Sequence, residues 1–120
     1  MITPKRIFAA LACLMFPAMI FAQSPKQANV WYFGDNAGLD FSNGGPTVLT
    51  NGAMDGFEGT ATLSDEHGQL LFYTNGGSLP HNGGVWNRNH QLMPNGDLAN
   101  AGGCGSSFQS SITLKQPGNN

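Results

Sequence analysis

Turn-forming residues recur so closely along this chain that long helices have little room to form between them. The sequence contains 17 Gly, and Asn-Gly pairs lie at positions 43–44, 51–52, 75–76, 82–83 and 95–96. Gly adopts the positive φ angles of tight turns, and Asn-Gly is typical of turns between strands. Past residue 22, no window of about eleven residues repeats apolar side chains every 3.6 positions. The pattern predicts an all-β fold of short antiparallel strands, as in a sandwich, a barrel or propeller blades.

Stretches rich in β-branched and aromatic residues, or alternating between apolar and polar ones, mark the predicted strands. They cover residues 29–34, 39–41, 47–50, 60–64, 69–74, 85–93 and 107–114. Residues 65–68 join two of them as a hairpin with a Gly-closed connection. The stretch 85–93 is predicted as one strand, or as two with a bend near 87–89, and residues 94–97 as the following turn.

The amino terminus has the three parts of a secretory signal peptide. Lys5 and Arg6 form a basic start, Ile7 to Ala22 is apolar apart from one Pro, and Ala22 is a small residue at the cleavage position. A membrane anchor is the alternative, but this apolar run is short for crossing about 30 Å of hydrocarbon. We therefore predict export through the inner membrane, a mature chain without a membrane span, and an extracellular or outer-surface location. Residues 23–28 would be a polar leader, and residues 29–120 one domain.

The composition of the mature chain excludes several classes of function. Removing the signal leaves three Lys and Arg against seven Asp and Glu, a net charge of about −4. Nucleic acid is not expected as a partner, because phosphate contacts need cations. Cys13 is lost with the signal, so Cys104 has no disulfide partner within the mature sequence.

Catalytic and metal-binding patterns are weak throughout. His67, His81 and His90 lie in polar loops or strands, and no Ser lies in a Gly-x-Ser-x-Gly motif. The acids Asp35 and Asp40 lack the spacing of a calcium loop, and no two carboxylates are marked as a glycosidase pair. We predict no catalytic residue, no metal and no cofactor.

Residues 83–96 combine Trp86, Arg88 and His90 with three Asn in a short stretch. These three residues are the candidate ligand contacts, at an exposed edge of a strand. The alternative is a purely structural role: Val85, Leu92 and Trp86 would pack the strand against its neighbours, and the Asn side chains would form hydrogen bonds to the backbone of turns. Aromatic side chains on strands can stack on sugars, although they more often belong to a core. The aromatic residues in question are Trp31, Tyr32, Phe33, Tyr73 and Trp86.

Four segments in order carry a family resemblance: "NVWYFGDNAGLDF", "EGTATLSDEHGQLLFYTNG", "VWNRNHQLMPNG" and "SSFQSSITLKQPGNN". Residues 29–120 resemble the amino-terminal, β-propeller-like region of large cell-surface proteins of gliding Gram-negative bacteria. Those proteins end in a gliding-motility-associated sorting domain that is read by type IX secretion. The resemblance implies a partial propeller of one to two blades that continues into a longer polypeptide, and it supplies no catalytic residues.

Three functions fit these observations. The expected one is a non-enzymatic module of an exported cell-surface protein, acting in adhesion or recognition of an unidentified surface or extracellular ligand, with a glycan as one candidate. The second is part of a secreted polysaccharide hydrolase, which needs two acids converging in one cleft. The third is a structural spacer without a ligand.

Overall fold

Two antiparallel sheets make up the part of the chain that the structure describes. The computed structural model describes residues 26–56, 58–77, 83–101, 109–114 and 116. In these ranges the regular elements are seven strands and one 3-10 helix, Lys26–Ala28. The all-β prediction is confirmed for this part of the chain. The predicted signal peptide and Cys104 lie outside the described residues.

The first sheet contains three strands in sequence order: β1 (Val30–Gly34), β2 (Ala37–Asp40) and β3 (Thr47–Leu49). Asp35 and Asn36 form the two-residue turn between β1 and β2, with φ of 50° and 63°. Two successive positive φ angles suit the right-handed twist of a hairpin, and Asp and Asn tolerate them better than most residues. The strand pattern of residues 29–34 is thus confirmed, with alternating buried and exposed positions.

The second sheet is a four-stranded meander in sequence order. It consists of β4 (Ala61–Ser64), β5 (Leu70–Thr74), β6 (Gly84–Asn87) and β7 (Leu92–Asp97). The predicted hairpin around residues 65–68 is confirmed, because β4 and β5 pair antiparallel. Of the two alternatives for residues 85–93, the structure has two strands, β6 and β7, joined by a turn at 88–90.

The two hairpin turns of this sheet share one design. The Asp65 carboxylate accepts hydrogen bonds from the backbone N–H groups of His67 and Gln69, both at 2.9 Å. The Asn87 amide oxygen likewise accepts bonds from the residues two and four positions later, at 2.8 and 3.1 Å. The fourth residue of each turn has a positive φ, 87° at Gly68 but 60° at His90. His90 thus has a left-handed conformation that usually favours Gly.

Two strand-level predictions are wrong. Residues 94–97 are part of β7 and do not form a turn. Asn95 has a φ of 60°, and the β6–β7 register shifts beside it, so the Pro-Asn-Gly sequence makes an irregularity in an edge strand. Pro is tolerated on such an edge because no ladder hydrogen bond is lost. The predicted strand 107–114 is not formed over its described residues, 109–114.

The core lies where the two sheets meet. Its buried apolar residues are Val30 and Tyr32 of β1, Met54 of the connection between β3 and β4, and Tyr73 of β5. The backbone N–H of Tyr32 donates to Oγ1 of Thr62 in β4 at 3.0 Å, which ties the first sheet to the second. Leu92 was expected to pack, but it is 49% exposed. Among the described residues, no helix has the length and apolarity needed to cross a bilayer.

Candidate functional site

A ladder of aromatic rings crosses the boundary between the sheets. The ring of Tyr32 stacks on that of Tyr73 with centroids 4.6 Å apart, and Tyr73 stacks on Trp86 at 5.8 Å with a plane angle of 16°. Tyr73 and Trp86 are also cross-strand neighbours in β5 and β6. The ladder begins in the core at Tyr32 and ends at Trp86, which is only half-buried. The ladder therefore runs from the core to the surface and ends at the Trp86 ring.

The imidazole of His90 is part of a chain of hydrogen bonds beside this ladder, from the Tyr32 hydroxyl to the Tyr73 hydroxyl. Nδ1 lies 3.0 Å from the Tyr73 hydroxyl, and Nε2 lies 2.9 Å from the Asn51 side-chain nitrogen. Asn51 in turn accepts a hydrogen bond from the Tyr32 hydroxyl at 2.9 Å. With the amide in this orientation Nε2 is an acceptor, so a neutral imidazole carries its proton on Nδ1 and donates to Tyr73. The backbone N–H of Ala53 also donates to that hydroxyl.

Burial dominates the electrostatics of both Tyr side chains. It raises the pKa of the Tyr73 hydroxyl above its ordinary value, against the lowering effect of the Ala53 hydrogen bond. Burial also raises the pKa of Tyr32, with smaller contributions from the negative charges of ionised Tyr73 and Asp40. Both phenols are therefore neutral hydrogen-bonding groups at neutral pH.

The three predicted ligand contacts are close in sequence, but the structure places them in different environments. Trp86 packs against Tyr73, and His90 has both ring nitrogens engaged. Arg88 is exposed in the turn between β6 and β7. Of the three, Trp86 borders an open cleft. Asn51 is the member of this hydrogen-bonded chain that the sequence did not mark, since Asn51-Gly52 resembles any other turn pair.

The cleft at Trp86 has a volume of about 300 Å³. It is lined by Gly83, Trp86, Leu92, Asp97 and Ala99. A β-carbon at Gly84 would lie 2.8 Å from the Trp86 ring, so the missing side chain leaves the ring its space. One oxygen of the Asp97 carboxylate accepts the Ala99 N–H at 2.9 Å. The other oxygen has no hydrogen-bond partner among the described residues.

A second aromatic surface lies on β1. Trp31 and Phe33 are each 46% exposed and contact edge to face, with centroids 6.2 Å apart. They line a shallow cleft of about 250 Å³ together with Tyr32, Thr60 and Thr62. Of the five aromatic residues considered for sugar stacking, Tyr32 and Tyr73 are core residues, and the other three reach the surface.

A third cleft, of about 330 Å³, lies at the turn between β4 and β5. Ser64 lines it, and its buried hydroxyl has no hydrogen-bond partner among the described residues. The neighbouring Glu66 carboxylate and His67 imidazole lie 3.6 Å apart, both largely exposed. The pKa of Asp65 is lowered mainly by the Gln69 backbone N–H. That carboxylate has a structural role in the turn.

Neither the metal-binding side chains nor the comparisons with known proteins assign a function to the described residues. Among the described residues, no group of three or more His, Cys, Asp and Glu side chains could hold a metal ion. No family model, curated protein sequence or solved structure matches this chain.

Proposed function

We propose that this protein is a non-catalytic recognition module of an exported cell-surface protein, and that its ligand is a glycan bound at the Trp86 cleft. The observation that carries the ligand class is the half-buried Trp86 ring, supported from behind by Tyr73 and bordered by the Asp97 carboxylate. A flat aromatic ring next to a hydrogen-bond acceptor suits a sugar, whose C–H face is apolar and whose rim carries hydroxyls.

The arrangement of the sheets supports a propeller-like architecture for the module. The second sheet is a four-stranded antiparallel meander, the form of one propeller blade. Its first strand, β4, is bonded to β1 through Tyr32 and Thr62, and Gly59, just before β4, accepts a hydrogen bond from Ser110 at 2.5 Å. Successive segments thus contact one another without a shared ladder, as neighbouring blades do.

Exposed apolar residues on β1 and in the segment 109–114 fit the same proposal. Trp31 and Phe33 project from β1, and Ile112 and Leu114 are 67% and 77% exposed in the last described segment. Further blades would cover such surfaces, which a monomeric pair of sheets leaves in water. Sequencing the gene beyond codon 120 tests this directly: further segments like residues 60–96 are expected, and a stop codon there contradicts the propeller.

The glycan proposal is tested on the full chain with a microarray of neutral and acidic oligosaccharides. The sugars that bind are then titrated against a Trp31→Phe variant, in which Trp86 is the only Trp and its fluorescence reports the cleft alone. We expect neutral sugars to change this fluorescence, because the negatively charged Asp97 carboxylate would repel an acidic sugar.

Two variants distinguish the cleft from the remaining surface. Asp97→Asn keeps an oxygen for the Ala99 N–H, and is expected to weaken binding by about ten-fold through the loss of a charge-assisted hydrogen bond. Asp35→Asn, in the exposed turn between β1 and β2 and outside the residues that line this cleft, is the matched control and should leave affinity unchanged. Equal affinity in the Asp97 variant, or failure of every sugar to bind, would refute a glycan site here.

The alternative function, a polysaccharide hydrolase, requires more than one carboxylate in the cleft. Among the described residues that line the Trp86 cleft, Asp97 is the only carboxylate. A glycosidase needs a second one about 5 to 9.5 Å away. Incubation of any bound oligosaccharide with the protein, followed by analysis of reducing ends, separates the two functions: intact sugar is expected.

A further inference from the structure

The Asn-Gly pairs of this chain are held very differently by the fold, and this sets their chemical reactivity. Asn followed by Gly can cyclise when the Gly backbone nitrogen reaches the Asn side-chain carbon, because Gly has no β-carbon to shield that nitrogen. The reaction needs a free side-chain amide and a backbone that can rotate. The described pairs begin at Asn43, Asn51, Asn75 and Asn95.

Two of these pairs are locked by hydrogen bonds. The Asn75 side chain is 5% exposed, donates to the Asp55 carbonyl and accepts from the Gly84 N–H, at 2.8 and 2.9 Å. The Asn51 amide is bonded to Tyr32 and His90, and the Gly52 N–H donates to the Asn36 carbonyl at 3.2 Å. In both pairs these bonds must open before the side chain can turn toward the nitrogen.

The third pair is held by the sheet. Asn95 is exposed, but Gly96 is a buried residue of β7. A β-carbon at Gly96 would lie 2.7 Å from the Val85 carbonyl oxygen, so the backbone here has a strand against it. Rotation about this peptide would separate β7 from β6.

The pair Asn43–Gly44 is free of all these restraints. Both residues are exposed in the connection between β2 and β3, and Gly44 has a φ of 83°. No heavy atom outside its immediate neighbours lies within 4 Å of the position that a β-carbon would take at Gly44. Within the described part of the chain, no side-chain hydrogen bond restrains the Asn43 amide, and the preceding residue, Ser42, donates its N–H to Asp40.

We propose that Asn43 is a site of spontaneous deamidation in the folded protein. The Gly44 nitrogen, after losing its proton to base, bonds to Cγ of Asn43. The Cγ–Nδ2 bond then breaks, and the leaving nitrogen takes a proton from the protonated base and departs as ammonia. Water then adds to either carbonyl of the five-membered succinimide. The ring opens to an aspartate or, by the other bond, to an isoaspartate whose main chain runs through Cγ.

The product changes the edge of the first sheet. Either form adds a negative charge close to Asp40, whose carboxylate caps the turn through Ser42. The isoaspartate form also lengthens the β2–β3 connection by one main-chain carbon. Because β3 is a three-residue edge strand, its pairing with β2 is the contact most exposed to this change.

The test is incubation of the full chain at mildly alkaline pH, followed by peptide mapping that separates Asn, aspartate and isoaspartate forms at each pair. Asn43 is expected to react about ten-fold or more faster than Asn51 and Asn75, since two hydrogen bonds hold each of those amides. Asn95 should be slower than Asn43. The rate at Asn43 should rise with pH, because the attacking nitrogen must lose its proton.

Incubation in denaturant is the internal control. Unfolding should bring all the pairs to similar rates, since each is the same dipeptide without its contacts. An Asn43→Gln variant should leave position 43 unmodified and the other rates unchanged, because a six-membered ring closes more slowly. The proposal is overturned if Asn51 or Asn75 reacts as fast as Asn43 in the folded protein, or if folding slows Asn43 as much as the others.

Discussion

Tyr73 of the second sheet lies face to face with Tyr32 of the first, with ring centroids 4.6 Å apart and an angle of 24° between the planes. This pair is a direct side-chain contact between the two sheets. Its hydroxyl groups lead to opposite ends of one polar chain, from Tyr32 through Asn51 and His90 to Tyr73. Apolar stacking and polar satisfaction thus depend on the same two residues.

Removing the Tyr73 hydroxyl should destabilise the protein more than removing that of Tyr32. Tyr73→Phe leaves the Ala53 N–H and the His90 Nδ1 without the acceptor that they share. Each of these two part-buried hydrogen bonds contributes about 0.5 to 1.5 kcal/mol. Tyr32→Phe releases only Asn51, which is exposed and can bond to water, so about 1 kcal/mol is expected. Urea unfolding of both variants gives the order, and equal losses would contradict the role of the Tyr73 hydroxyl as the acceptor of two hydrogen bonds.

The strands and turns follow from the sequence because Gly, Asn and Asp provide local backbone conformations that are independent of distant residues. The hairpin at 65–68 is such a case, since Asp65 bonds within its own turn. The Pro94–Gly96 segment fails as a turn because pairing with β6 extends it into a strand, which is a tertiary effect. The role of Asn51 could not be predicted either, because its partners lie 19 and 39 positions away.

Alkaline pH should weaken the fold through the same two Tyr residues. Burial raises both folded-state pKa values above the unfolded value of about 10. Below about pH 10 both states keep the phenols protonated, and the full stability is present. As the pH rises from there toward the folded pKa values, the unfolded chain loses protons first and unfolding becomes easier.

This effect is measured as the unfolding free energy across the alkaline range, together with the phenolate absorbance of the native protein. Native phenolate should form at higher pH than in the denatured chain. Tyr32→Phe removes one of the two titrating core groups and should flatten the alkaline decline. An unchanged slope in that variant would show that other groups are responsible.

Asp65 should stabilise the folded protein at neutral pH, and this contribution should be lost in acid. Hydrogen bonds from the Gln69 and His67 N–H groups lower the pKa of its carboxyl in the folded state. That contribution is present above the unfolded pKa of about 3.9 and is lost as the pH falls through the folded value. Asn87 performs the same turn function without a charge. Asp65→Asn should therefore preserve the turn at neutral pH and decline less steeply in acid, as unfolding at several pH values would show. A decline as steep as in the parent protein would contradict this role.

The left-handed conformation of His90 predicts an unusual order among its variants. His90→Ala loses the imidazole contacts and keeps an unfavourable φ, whereas His90→Gly loses the same contacts but relieves the backbone. The Gly variant should be the more stable of the two by about 1 kcal/mol, the cost of a left-handed L-residue. Gly68→Ala, in the matching turn, should lose at least as much, because the new β-carbon has the same unfavourable φ and would also lie 3.2 Å from the Asn29 side-chain nitrogen. Urea unfolding measures all three, and an Ala variant at position 90 as stable as the Gly variant would rule out backbone strain at this turn.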